Sequence, residues 1–287
     1  MKQLTVISGK GGTGKTTLTA AFASLAEGKV LADCDVDAAD LHLILNPTVK
    51  RREPFSGGRS PVVDSESCTK CGICTEVCRF DAIEDGVVDV IACDHCALCA
   101  YACPENAIAM EEDCNGEWFV SETDYGPMVH ARLGMGEENS GKLVTVVRKE
   151  ASEIAKERNL DLVIIDGPPG IGCPVIASVA GVDLVLVVVE PTLSGIHDME
   201  RILGLAEHFK IPALACINKY DINLINAKEI RRYCDRNDVE VVGMVPFDSK
   251  VIEALVHRKS VIEHSCGDVT REVINIWENV RDHLSPQ

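Results

Sequence analysis

Apolar and polar positions along this chain fall into two alternating kinds of segment. Short, almost unbroken apolar runs have the length and β-branched content of strands buried on both faces. They are VIIDGPP from Val163, DLVLVVVEP from Asp183, IPALACINK from Ile211 and VEVVGMVPF from Val239. Between and around them lie longer stretches with apolar residues at helical spacing: LVTVVRKEASEIAKERN from Leu143, MERILGLAEHFK from Met199, NAKEIRRYCDRN from Asn226 and SKVIEALVHRK from Ser249. Near the N-terminus LTVIS from Leu4 and KVLADCD from Lys29 add two more strands, with a long helix between them. Strands alternating with helices predict an α/β fold with a parallel sheet and helices on both faces.

The alternation stops between about Pro47 and Gly141 and resumes at Lys142. Residues 47–61, PTVKRREPFSGGRSP, have the Pro, Gly and basic content of a linker. Residues 62–113 hold eight of the 14 cysteines. The economical reading is an insertion, with a discontinuous main domain over 1–61 and 114–287 and an inserted domain over 62–113. Inside it CTKCGICTEVCRFDAI from Cys68 matches CDHCALCAYACPENAI from Cys93, each cysteine displaced by 25 residues. A direct repeat implies two halves related by pseudo-symmetry.

Composition narrows the class. A chain of 287 residues buries enough core to need no cysteine staples. The N-terminus shows no signal peptide, and the longest apolar runs are too short to span a membrane, so a cytoplasmic protein is expected. Closely spaced cysteines in that setting serve metal or redox chemistry rather than disulfides. The net charge of -17 disfavours a nucleic-acid or anionic-membrane partner. From Asp64 to Asp113, twelve Asp or Glu stand against Lys70 and Arg79. That local charge is either a solvated face or a docking surface for a basic redox partner.

GKGGTGKTT, Gly9 to Thr17, fits G-x-x-x-x-G-K-[ST] and follows a strand and opens a helix, as phosphate binding requires. Backbone N–H groups of Gly9, Lys10, Gly11, Gly12, Thr13, Gly14, Lys15, Thr16 and Thr17 would cradle phosphate oxygens at a helix N-terminus. Lys15 would reach the β- and γ-phosphates, and the Thr16 hydroxyl would sit on Mg²⁺.

The extra lysine of KGGTGKTT resembles the deviant Walker A box of the MinD/Mrp/ParA superfamily of P-loop ATPases, over residues 1–46 and 142–265. The resemblance implies ATP as substrate and a nucleotide-sandwich homodimer in which Lys10 reaches the partner's phosphates. DCDVDAADLHLIL is similar to the family's switch I, which implies that Asp35 orients the attacking water, with Asp33 its Mg²⁺-side neighbour. Asp166 of VIIDGPPG is placed like the Walker B aspartate. Asn218 of INKYD resembles the purine-contacting asparagine, although Asn218, Lys219 and Asp221 also fit the NKxD box that reads guanine.

Cys68, Cys71, Cys74 and Cys78 have C-x₂-C-x₂-C-x₃-C spacing, as do Cys93, Cys96, Cys99 and Cys103, the latter followed by Pro104. This is the spacing of bacterial ferredoxins with two [4Fe-4S] clusters, in which the fourth cysteine of each run serves the other cluster. Cys68, Cys71, Cys74 and Cys103 would then hold one, and Cys93, Cys96, Cys99 and Cys78 the second. Sites of four thiolates also suit zinc. Arg79 departs from the proline usual after the fourth cysteine. Of the other cysteines, Cys34, Cys114, Cys216, Cys234 and Cys266 are expected mostly as small buried apolar residues. Cys173 falls in switch II, where the related nitrogenase iron protein has a cluster ligand. That protein's second ligand aligns near Asn139 or Ser140, where this chain has no cysteine.

Taken together the chain is identified as resembling MinD-superfamily ATPases with an inserted bacterial-type ferredoxin-like α+β domain. The resemblance implies an ATPase whose nucleotide state gates electron transfer to a redox partner. An alternative is an iron-sulfur carrier of the Mrp type, although no C-terminal CxxC follows Cys173. Another is a spatial regulator like MinD. Its basic membrane helix contrasts with DVTREVINIWENVRDHL here, whose Val269, Val273, Ile276, Trp277 and Val280 suit packing on the core.

Overall fold

A computed structural model describes residues 1–134 and 141–285. The chain runs β1 (Lys2–Ser8), α1 (Lys15–Leu25), β2 (Lys29–Asp33), α2 (Leu41–Leu45), β3 (Thr48–Val63), α3 (Ile73–Val77), β4 (Ile83–Glu84), β5 (Val87–Val88), α4 (Leu98–Ala102), β6 (Ile108–Thr123) and β7 (Gly126–Leu133). It continues through α5 (Lys142–Glu157), β8 (Leu162–Pro169), α6 (Cys173–Val179), β9 (Leu184–Val189), α7 (Leu193–His208), β10 (Ala213–Asn218), a 3₁₀ turn (Tyr220–Ile222), α8 (Leu224–Arg236), β11 (Glu240–Val245), α9 (Lys250–Val256) and α10 (Asp268–Leu284).

The main sheet has the order β11-β10-β9-β1-β8-β2-β7-β6-β3, and β11 through β7 pair in parallel. Its central strands are apolar on both faces because helices cover both. Leu4 and Val6 of β1 join a cluster with Phe22 of α1 and Trp277 of α10. Thr5, between them, points the other way and donates its hydroxyl to Ser178 O at the end of α6, 2.9 Å away. The five apolar residues of α10 named above are all buried, and the Phe22 and Trp277 rings lie 5.0 Å apart. No helix among the described residues is long and apolar enough to cross a membrane.

Register fixes the site. β8 lies between β1 and β2, with Val6 and Asp33 both paired to Asp166. Two aspartates therefore sit side by side toward the carboxyl ends of adjacent strands, beside the loop that leaves β1. In open parallel sheets ligands bind at this carboxyl edge.

The expected linker over residues 47–61 is instead most of β3, a 16-residue strand. β3 is the last strand of the sheet, and an edge strand tolerates Pro54, Pro61 and the Gly57–Gly58 pair because its free side needs no ladder donors. β6 and β7 form a hairpin across Asp124 and Tyr125. Their apolar pattern is broken by polar residues, His130 and Arg132 among them, and predicted no strand.

The chain forms two compact units. One comprises Met1–Arg52, Trp118–Arg132 and Asn139–Gln287, the other Glu53–Glu117 with Leu133–Glu138. In the second unit α3 packs on α4 beside the small sheet β4-β5, around buried Ala82, Ile83, Ala107 and Ile108.

Candidate functional site

The loop after β1 turns through two glycines with positive φ, Gly12 at 79° and Gly14 at 89°, and α1 begins at Lys15. That conformation is open to glycine at little cost. A side chain at Gly14 is doubly barred, since its Cβ would lie 2.3 Å from Asn218 Nδ2. The loop, Asp35, Ala38, Asp40, Leu43, Ile44, Pro169 and Leu255 line a cavity of about 470 Å³, within the range of small-molecule sites. Gly9, Lys10 and Asn218 lie outside that lining.

At the cavity floor, buried Lys15 places its Nζ 2.8 Å from Asp35 Oδ2 and 3.5 Å from Asp166 Oδ1. Thr16 Oγ1 donates to Asp166 Oδ2 at 2.7 Å, and Thr19 Oγ1 lies 3.1 Å from Asp166 Oδ1. Asp33 accepts the Asp35 and Leu41 N–H groups, each at 3.2 Å, and so braces the segment between them. Burial alone would lower the Lys15 pKa, but the carboxylates of Asp166, Asp35 and Asp33 raise it above its ordinary value. Burial raises Asp33 well above the carboxylate range, and Asp166 adds to the rise. Asp166 is raised by burial against the opposing pull of Lys15. The carboxyl groups outnumber the one ammonium, and a divalent cation beside Thr16 would favour their ionised forms.

Lys10 is held by its own chain, its Nζ 3.2 Å from Thr192 Oγ1 and 3.7 Å from Glu190 Oε2. Lys219 reaches back to the Gly12 carbonyl at 3.0 Å and ion-pairs with the same Glu190. Asn218 donates Nδ2–H to Thr13 O at 2.7 Å, so it clamps the loop backbone. Asp221, the last position of the guanine-type box, accepts the Phe247 N–H at 2.8 Å. Glu190, Thr192 and Thr19 had no role in the sequence reading. For Glu190 a signal existed: like Asp33 and Asp166, it follows an apolar strand at the sheet's carboxyl edge.

In the second unit the two cysteine runs share one conformation. Lys70, Gly72 and Asp81 have positive φ, and so do His95, Ala97 and Asn106, each 25 residues on. Left-handed residues next to a helical turn form backbone nests that point N–H groups at anions, iron-sulfur sites included. Asp64 N–H bonds Ala107 O, and Asp89 N–H bonds Ala82 O, both at 2.8 Å, so each half holds the other reciprocally. Ala82 N–H points at Cys78 Sγ at 3.4 Å and Ala107 N–H at Cys103 Sγ at 3.3 Å. Cys68, Cys71, Cys74 and Cys103 line one cleft. Gly86 borders it, and a Cβ there would lie 3.6 Å from Cys68 Sγ. Among the described residues no three His, Cys, Asp or Glu side chains converge as they would around a single metal ion. A cubane is larger than one ion and keeps its cysteines apart, so four cysteines lining one cleft, with the Ala107 N–H aimed at Cys103 Sγ, suit the group.

Of the remaining cysteines, Cys34, Cys216, Cys234 and Cys266 are buried while Cys114 and Cys173 are exposed. Burial raises the Cys216 thiol to about 12. Cys173 begins α6, and Asn139 and Ser140 lie outside the described residues.

Comparisons place this geometry among known proteins. The chain is 33% identical over 289 residues to the uncharacterized protein MJ0578 of Methanocaldococcus jannaschii, covering 98% of this chain and 97% of that protein. It is 25% identical over 266 residues to the septum site-determining protein MinD of Thermotoga maritima, covering 88% and 77%. Its fold is similar to that of MinD from Pyrococcus horikoshii, a structure complexed with Mg-ADP, with a TM-score of 0.59 at 16% identity over 97% of this chain and 95% of that one. Residues 4–261 match the model of the CobQ/CobB/MinD/ParA nucleotide binding domain, and the chain belongs to that family.

Proposed function

We propose that this chain binds and hydrolyses ATP with Mg²⁺, and that its nucleotide state gates electron transfer through two [4Fe-4S] clusters to a partner protein. The observation that carries the nucleotide half is the buried contact of Lys15 and Thr16 with Asp35 and Asp166 at the floor of the cavity. In this reading Lys15 would move from its aspartates to the β- and γ-phosphates, and the Thr16 hydroxyl, with Asp166 acting through water and Asp33 beside it, would hold Mg²⁺, which would offset phosphate charge. Asp35, released from Lys15, orients the attacking water. Asp33 transmits the change, because it is bonded at both ends of the segment 35–41.

For the inserted domain, residues 62–113, the reciprocal bonding of the halves and the cleft shared by Cys68, Cys71, Cys74 and Cys103 support the crossed ligand sets. Cys93, Cys96, Cys99 and Cys78 would hold the second cluster. All-thiolate cubanes supply one-electron transfer, usually at low potential. The chain's own residues tune it through the amides of Ala82 and Ala107. A homodimer with Lys10 acting across the interface completes the reading.

The test is turnover and cluster reduction, measured anaerobically with and without nucleotide. Lys15→Ala is expected to abolish hydrolysis and to make reduction kinetics insensitive to ATP. If wild-type reduction never depends on nucleotide while hydrolysis proceeds, gating is wrong even though the ATPase stands.

A further inference from the structure

The two cysteine loops, alike in backbone, differ in what their left-handed positions cost. The first uses Lys70 and Gly72, the second His95 and Ala97. Glycine enters this region freely and alanine does not, so the second loop carries strain that the first avoids. Only the second has its first left-handed residue tied to buried Ser60 of β3. His95 Nδ1 lies 3.1 Å from Ser60 Oγ, and Ser60 Oγ donates to Asp113 Oδ2 of β6 at 2.6 Å. A serine hydroxyl has one hydrogen, and the short bond to a carboxylate claims it. Ser60 therefore accepts from His95, whose proton is fixed on Nδ1. At the matching position of the first loop stands exposed Lys70.

We propose that Asp113, Ser60 and His95 are positioning residues that hold the strained second loop, with its Cys93, Cys96 and Cys99, in ligand geometry, so that retention at the second cluster site alone depends on this tie. The inference rests on the reading of the cysteines as cluster ligands and goes beyond it by separating the sites. Ser60 acts as a relay: it converts the charge of Asp113 into a fixed acceptor for the imidazole. Without it the loop is free to relax away from the left-handed conformation of His95 and Ala97, and Cys96 lies within that bend with Cys93 and Cys99 on either side.

The experiment uses the full chain, purified anaerobically as wild type, Ser60→Ala, Ser60→Thr and Ser60→Ala with Ala97→Gly. Iron and acid-labile sulfide per chain are measured first, then the time course of iron release to a ferrous chelator, with circular dichroism as a control on folding. Wild type should carry about eight irons. Ser60→Ala should release half of its iron about tenfold faster than wild type and the other half at the wild-type rate. Ser60→Thr, which keeps the hydroxyl, should behave as wild type. Ala97→Gly should restore retention to the Ser60→Ala chain, because it removes the strain that the tie opposes. Unchanged release from Ser60→Ala, or equal acceleration of both halves, would overturn the inference and leave the cluster reading intact. Wild-type protein without iron or sulfide would defeat the cluster reading itself.

Discussion

Lys15 holds a position that no other residue could take without cost, because its buried ammonium is paired with Asp35 and Asp166. Removing one member of a buried ionic group leaves the others uncompensated, typically at about 3–5 kcal/mol. Lys15→Ala should therefore lower stability at pH 7, and millimolar Mg²⁺ should restore more of it in the variant than in wild type. Equal urea midpoints for the two proteins would show that the carboxylates are not held charged by the lysine. A second buried group sets acid sensitivity. His130 lies between Phe119, 5.0 Å away, and His42, 5.8 Å away, with Nε2 3.0 Å from Ser121 Oγ. Burial, helped by His42, pulls its pKa down to about 4 from 6.5. The folded state thus binds fewer protons than the unfolded one between those values, so stability falls as pH drops from about 6.5 toward 4. The ceiling is about 3 kcal/mol, and His130→Gln, which keeps a hydrogen-bonding end but does not titrate, should flatten that part of the curve. The floor residues were legible in the sequence because each ends an apolar strand or follows a glycine turn. Thr19 and Ser60 were not, since their importance lies in which distant residue they meet, whereas Glu190 carries the strand-end signal and takes its role from Lys10 and Lys219.

At the scale of elements, the helices that cover the sheet leave little slack where they cross small residues. Gly243 of β11 packs against α10, and a Cβ there would stand 2.3 Å from Ile276 Cγ1. Gly243→Ala should cost about 1–3 kcal/mol by overpacking, seen as a lower urea midpoint with an unchanged slope. If the variant is as stable as wild type, α10 is free to shift. Every strand read from an unbroken apolar run, β1, β2, β8, β9, β10 and β11, stands where the pattern put it. β3, β6 and β7 escaped because burial on one face, or exposure at an edge, leaves polar residues and prolines in the run. The repeat fared differently. Its halves match in left-handed positions and in reciprocal hydrogen bonds, in keeping with the pseudo-symmetry that the direct repeat implied, whereas the tie from His95 breaks the symmetry and could not be read from it.

For the molecule as a whole, the question is how a nucleotide bound by one chain could bring two together. Lys10 is occupied within its own chain by Thr192 and Glu190, and Glu190 also engages Lys219, which caps the phosphate loop at Gly12. One carboxylate thus restrains both lysines. If the proposed dimer forms, Lys10 has to leave Glu190 to reach a partner's phosphates, so the ion pair would oppose assembly and ATP would have to compensate for its loss. The pair is partly exposed, with Lys10 35% accessible at the side chain, so each contact is weak and the exchange is within reach of a bound triphosphate. Two variants separate the roles. Lys10→Ala should bind Mg-ATP nearly as wild type does, because Lys10 lies outside the lining of the cavity, yet fail to dimerise or hydrolyse. Glu190→Gln should release Lys10 and dimerise at severalfold lower ATP, with the larger gain at low salt, where the lost ion pair is strongest. Sedimentation velocity across an ATP series decides the matter: a Glu190→Gln chain that needs more ATP than wild type would mean that Glu190 belongs to the assembled interface rather than restraining its approach.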